Sequence, residues 1–149
     1  MTHAPTPNAY LDNLVRTASP ARLRWLLLQR SVSLCDQILS DRQQPVAGQP
    51  SLRLREVLGE LLGGIPRLPE SSPEQETVQR QVSDLYVFLL QHLTQAETQN
   101  DPSLIREVRS VLDIQCQTWA MVVTQESDSS VDTSAVSQTA ATTGLDLNA

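Results

Sequence analysis

The chain contains no lysine; all eleven of its cationic side chains are arginine. That absence removes the P-loop lysine, Schiff-base chemistry and any lysine general base. Aromatics are scarce, with two Trp, two Tyr and one Phe among 149 residues, so Leu and Val must fill the core. Only two Cys and two His occur. Cys35 and Cys116 lie far apart, each within an apolar helical pattern. They read as small buried hydrophobes in a reducing cytoplasm, with a disulfide or redox pair as the lesser alternative. No metal-ligand spacing, Gly-rich phosphate loop or nucleophile motif is present, so neither an enzyme nor a bound cofactor is expected. No apolar run approaches the ~20 residues of a membrane span. The first residues, "MTHAPTPNAY", have neither a basic n-region nor an apolar h-region, so they do not read as a secretory signal. The net charge of −6, with no basic cluster, argues against nucleic acid and anionic lipid as partners.

What the chain does have is punctuation. Ser19-Pro20, Ser72-Pro73 and Asp101-Pro102 each pair an N-cap side chain with a proline at the first helical position, where a missing N–H costs nothing. Ser72-Pro73-Glu74-Gln75 has the form of a capping box, with Gln75 placed to reach back to the cap. A fourth start lies near Pro50-Ser51. These marks predict helices over 20–41, 51–65, 73–99 and 102–123. Periodicity agrees. Val78, Val82, Leu85, Leu89, Leu93 and Ala96 share one face of the third segment, and Leu104, Val108, Val111, Leu112, Trp119 and Val122 share one face of the fourth. Leu54, Leu58, Leu61 and Ile65 do the same in the second. Nothing alternates with period two, so no strand is expected. The short "TQND" turn makes the last two helices antiparallel neighbours.

The expected architecture is therefore all-α: an antiparallel four-helix bundle over 17–123. A short N-terminal helical segment (1–16) precedes it. The tail 124–149, rich in Ser, Thr, Ala and Asp, is expected to be disordered because it cannot bury enough apolar area to offset its ordering entropy. In the N-terminal segment Tyr10, Leu11, Leu14 and Val15 fall at helical spacing. The segment is too short to be helical alone, so it must dock on something.

The first helix carries more apolar surface than one stripe. Leu23, Leu27, Leu34 and Ile38 form one row; Leu28, Val32, Cys35 and Leu39 form a second, extended by Trp25. In "SDLYVFLLQHL" of the third helix, Val87, Phe88 and Leu90 lie off the main stripe. A helix central to a bundle needs a wide apolar arc. An apolar groove reserved for a partner would give the same pattern. His92 suggests a histidine phosphotransfer domain, but those usually place Lys and Gly soon after the His. The context "LLQHLTQAE" has neither, so a packing or surface role fits better.

Tyr10, "TASP" before an apolar helix, "LYVFLLQHLTQAETQND" and "IREVRSVLDIQCQTW" occur in an order that resembles the flagellar secretion chaperones of the FliS family. The likeness is best over 10–39 and 84–119. It departs from the family at "LLQRSV", at the Pro-rich "IPRLPESSPEQE" and at Tyr86-Val87-Phe88-Leu89. The resemblance implies a non-enzymatic cytoplasmic four-helix bundle. Such a protein would bind the disordered C-terminal segment of flagellin, prevent premature polymerisation and deliver it to the flagellar type III export gate protein. It also implies that the segment holding Tyr10 docks to the groove or the gate; a staple holding that segment to the bundle is the other reading. Partner contacts are expected at Tyr10, Leu14, Trp25, Tyr86, Val87, Phe88 and Leu90. The competing reading is a generic helical adaptor for another amphipathic helix.

Overall fold

Each helix begins where a side chain replaces a missing intrahelical partner. In the computed structural model, which describes residues 19–65 and 72–147 (side chains over 19–65 and 72–129), α1 spans Pro20–Ser40 and α2 Gln49–Gly63. Helix α3 spans Pro73–Gln99 and α4 Pro102–Leu147. Ser19 Oγ accepts the Arg22 N–H at 3.2 Å. Ser72 Oγ accepts the Gln75 N–H at 3.2 Å, and Gln75 Oε1 accepts the Ser72 N–H at 3.2 Å, completing the expected capping box. Asp101 Oδ1 accepts from the Ser103 N–H at 2.9 Å and from its hydroxyl at 2.6 Å. Both bonds favour the ionised carboxylate, and the Asp101 pKa is lowered accordingly.

Helix α1 ends one residue short of the expected 41, α2 runs 49–63 where 51–65 was expected, and α4 extends beyond 123. Helix α2 starts at Gln49, because Ser51 Oγ accepts the Gly48 N–H at 2.9 Å from inside the first turn. Helix α4 runs past the expected end at 123, its backbone helical to Leu147. From Ser103 to Thr143 the chain holds neither Pro nor Gly, so nothing local terminates it. The N-terminal segment 1–16, with Tyr10 and Leu14, lies outside the described residues.

Consecutive helices pack as antiparallel neighbours, and α4 returns beside α1 to close the ring. Cross-helix contacts fix the directions. Arg24 at the start of α1 reaches the Leu61 carbonyl at the end of α2. Arg55 of α2 pairs with Glu97 of α3, and His92 of α3 meets Glu107 of α4. Arg109 of α4 pairs with Asp36 of α1, and Ser19 donates to Glu126 at 3.0 Å. The core joins Leu28, Leu34 and Cys35 of α1 to Leu54, Leu58 and Leu61 of α2. Tyr86, Leu89, Leu93 and Ala96 of α3 and Ile105, Val108 and Leu112 of α4 complete it. Burying one Leu or Val side chain fully contributes ~1.5–3 kcal/mol relative to leaving it exposed. The wide arc of α1 is largely explained here: both rows contribute to the core because α1 touches α2 on one side and α4 on the other.

Candidate partner-binding grooves

Burial is uneven along the stripes. In α3, Val78 is 57% exposed, Val82 and Leu85 are half-buried, and Leu89, Leu93 and Ala96 are fully buried. In α4, Ile105, Val108 and Leu112 are fully enclosed, whereas Trp119 and Val122 are only half-buried. In α1, Leu34 is enclosed, while Leu23 and Leu27 are half-buried. These half-covered side chains converge at one end of the bundle. They line a groove of about 700 Å³ between the start of α1, the end of α2, the start of α3 and the later part of α4. Leu23, Leu27, Ile65, Val78, Val82 and Trp119 make its walls apolar, and Glu60 and Glu126 place carboxylates on its lining.

Arg24 is the one cation among the described residues that line this groove. Its Nη1 donates to the Leu61 carbonyl at 3.2 Å. Its guanidinium carbon lies 5.1 Å from the Tyr86 ring centroid and 5.4 Å from that of Trp119, within cation–π range of both. Nη2 of Arg24 and the Tyr86 hydroxyl are each buried without a hydrogen-bond partner. Burial pushes the Tyr86 pKa up, and the nearby guanidinium charge pulls partly against it.

A second groove, about 400 Å³, runs along the outside of α2 and α3. Gly59, Val87 and Leu90 form its apolar floor, edged by Arg55, Gln91 and Thr94. Nothing lies within 4 Å of where a Cβ on Gly59 would stand, so the glycine leaves that wall low and open. Phe88, half exposed, lies beside it and stacks on His92 with ring centroids 5.1 Å apart.

The seven residues read from the sequence as partner contacts thus scatter. Val87 and Leu90 line the outer groove, and Phe88 stands exposed near it. Tyr86 is fully buried in the core, so in this structure its ring supports Arg24 and offers no surface of its own. Trp25 is half-buried and lines neither groove. Tyr10 and Leu14 fall outside the described residues. The residues around the larger groove were legible only as core stripes. Arg24, which interrupts "LRWLLL", was the signal overlooked: a cation amid an apolar run marks a place where the run meets something polar.

Among the described residues no cluster of His, Cys, Asp and Glu could hold a metal, and no helix is long and apolar enough to cross a membrane. Comparison with curated proteins and with solved structures gives no match. The family model described as flagellar protein FliS matches residues 3–126, which takes in α1, α2, α3, the first part of α4 and both grooves. A helical bundle that leaves apolar grooves open, matched by that model over most of its length, belongs to the FliS family, the export chaperones of flagellar assembly.

Proposed function

We propose that the protein is a cytoplasmic chaperone that binds the C-terminal segment of flagellin and hands it to the flagellar export gate. The observation that carries this reading is the apolar groove at the open end of the bundle, whose walls are stripe residues that no helix covers among the described residues. An amphipathic segment of another chain, laid into that groove as a helix, would bury the uncovered side chains. A segment that orders on binding loses ~2–5 kcal/mol of its gross interaction energy, so the groove must be formed in advance. The bundle supplies that: each wall is held by helices whose other ends are fully packed.

The outer groove with Val87, Leu90 and the neighbouring Phe88 extends the same client contact along α2 and α3. Trp25 and Leu14 belong to this proposed contact set, with Tyr86 acting through Arg24. Tyr10 is assigned to docking of the N-terminal segment on the client or the gate. No step in this role needs catalysis or a cofactor.

Titration calorimetry with a peptide from the C-terminus of the cognate flagellin tests the reading. Binding with a negative heat-capacity change is expected from apolar burial. No detectable binding at ~10–50 µM, a weak limit on the affinity scale, removes flagellin as the client. Tyr10→Ala is expected to weaken complex formation or export while melting stays nearly unchanged; an equal loss of melting stability makes Tyr10 a staple.

A further inference from the structure

We infer that Arg24 is a specificity-determining residue of the open-end groove, which pairs with an Asp or Glu side chain on the bound face of the client helix. This rests on the flagellin reading and adds the chemistry by which the groove selects its register.

The argument starts from what Arg24 lacks. One of its terminal nitrogens donates to the Leu61 carbonyl and its plane lies over two aromatic rings, yet Nη2 is buried with no acceptor. The Tyr86 hydroxyl beneath it has none either. No ion pair among the described residues involves Arg24. The Tyr86 oxygen can accept as well as donate and lies close enough to feel Arg24 as a donor, but no hydrogen bond of ordinary geometry joins the two, and a buried polar group without a well-placed partner is costly. The guanidinium borders the groove, so an occupant can supply the missing oxygen.

The occupant's chemistry follows. A client folded as a helix has already used its backbone carbonyls within itself, apart from its last turn. The free acceptor must therefore come from a side chain. The charge of Arg24 selects a carboxylate, since charge-assisted bonds to a guanidinium are shorter and roughly twice as strong as neutral ones. The surroundings sharpen the choice. Glu60 and Glu126 also line the groove, and the whole chain carries a net charge of −6. An acid placed elsewhere along the described lining meets apolar side chains or Glu60 and Glu126, whereas one placed over Arg24 meets its complement. One acid on the apolar face of the client would thus fix where the helix sits.

The test is a double-mutant cycle. Fluorescently labelled peptides from the C-terminal segment of the cognate flagellin are prepared as the native sequence, with each Asp or Glu changed singly to its amide, and with the C-terminus amidated. Affinities are measured by anisotropy for the wild-type protein and for Arg24→Gln. One acid-to-amide change is expected to weaken binding to the wild type by about 10- to 100-fold and to have little further effect on Arg24→Gln. Amidation of the C-terminus is expected to change neither. Arg24→Lys, which keeps the charge and loses the planar fork, should fall between, and it stands in if Arg24→Gln fails to fold. The proposal is overturned if Arg24→Gln weakens every peptide equally, which makes Arg24 a structural staple. It is also overturned if no acid couples to Arg24, or if only the C-terminal carboxylate does. A wild-type protein that binds none of the peptides overturns the flagellin reading itself, and this inference with it.

Discussion

The two ends of the bundle are built from the same four helices and the same Leu- and Val-rich stripes, yet among the described residues one end is sealed and the other carries an open groove. At the sealed end the 41–48 connection folds inward, burying Val46, whose N–H donates to Asn100 Oδ1 at 2.8 Å. Asn100 occupies the left-handed region at φ 49°, which lets α3 close with a 3.0 Å bond from the Asp101 N–H to the Ala96 carbonyl. Ser51 and Arg55 both reach Glu97, and Arg109 reaches Asp36. At the open end the described ties include Arg24 to a carbonyl and Ser19 to Glu126. An apolar stripe, then, does not make a core by itself. It becomes one only where turns draw the helices together, and elsewhere the same residues form a receptor for another chain.

That contrast can be broken most decisively at the sealed end. Leu93→Ala, in the fully buried part of α3, is expected to cost ~2–5 kcal/mol and lower the melting temperature by many degrees. A much smaller loss would mean that this end is less tightly packed than its burial indicates. Asn100→Ala is expected to cost ~2 kcal/mol, combining left-handed backbone strain with a Val46 N–H left unpaired. Asn100→Gly should recover the backbone part alone, and equal melting of the two variants would deny any strain at that turn.

Val82→Asp, at the open end, sharpens the comparison from the other side. That side chain lines the groove and is only partly buried, so folding should lose less than with Leu93→Ala, while flagellin-peptide affinity falls at least tenfold. Unfolding comparable to Leu93→Ala would show the open end to be as obligatory as the sealed one. A smaller effect concerns the thiols. Burial is the chief cause that pushes the Cys35 pKa up, to about 12, with Asp36 adding to it, and Cys116 is raised by lesser burial. The unfolded Cys35 thiol ionises near 9.0, so the folded form holds the proton more tightly between that value and about 12. Stability is fully present below that window and declines as pH rises through it. Cys35→Ala should flatten that decline in melting curves taken above pH ~9. Alkylation at pH ~8 should label Cys116 well before Cys35, and the reverse order would contradict the burial difference. The least effect is expected from Asp36→Asn, which breaks an exposed pair with Arg109 and should cost no more than ~1 kcal/mol.

Much of the architecture was legible from local chemistry. Ser19-Pro20, Ser72-Pro73 and Asp101-Pro102 mark three helix starts because capping and proline geometry act within four residues. The helical backbone of α4 beyond 123 has a related reason: Ser and Thr are weak helix formers but not breakers, and no Pro or Gly follows until Gly144. The candidate site was legible only in fragments. Val87, Phe88 and Leu90 announced themselves by lying off their stripe. Val78, Val82 and Trp119 did not, since they sit on it like any core residue. Tyr86 misled, because a lone aromatic beside an apolar run fits a contact surface as well as a buried platform for a cation.

Local rules along the chain were enough to set where most helices begin, which faces are apolar and that no strand competes, since capping and 3.6-residue periodicity need only near neighbours. Which of those faces would be covered was decided by the tertiary structure alone. Coverage depends on the distance between helices far apart in the chain. Here a buried Val46, a left-handed Asn100 and a set of ion pairs close that distance at one end, while at the other an arginine set against two rings borders a groove.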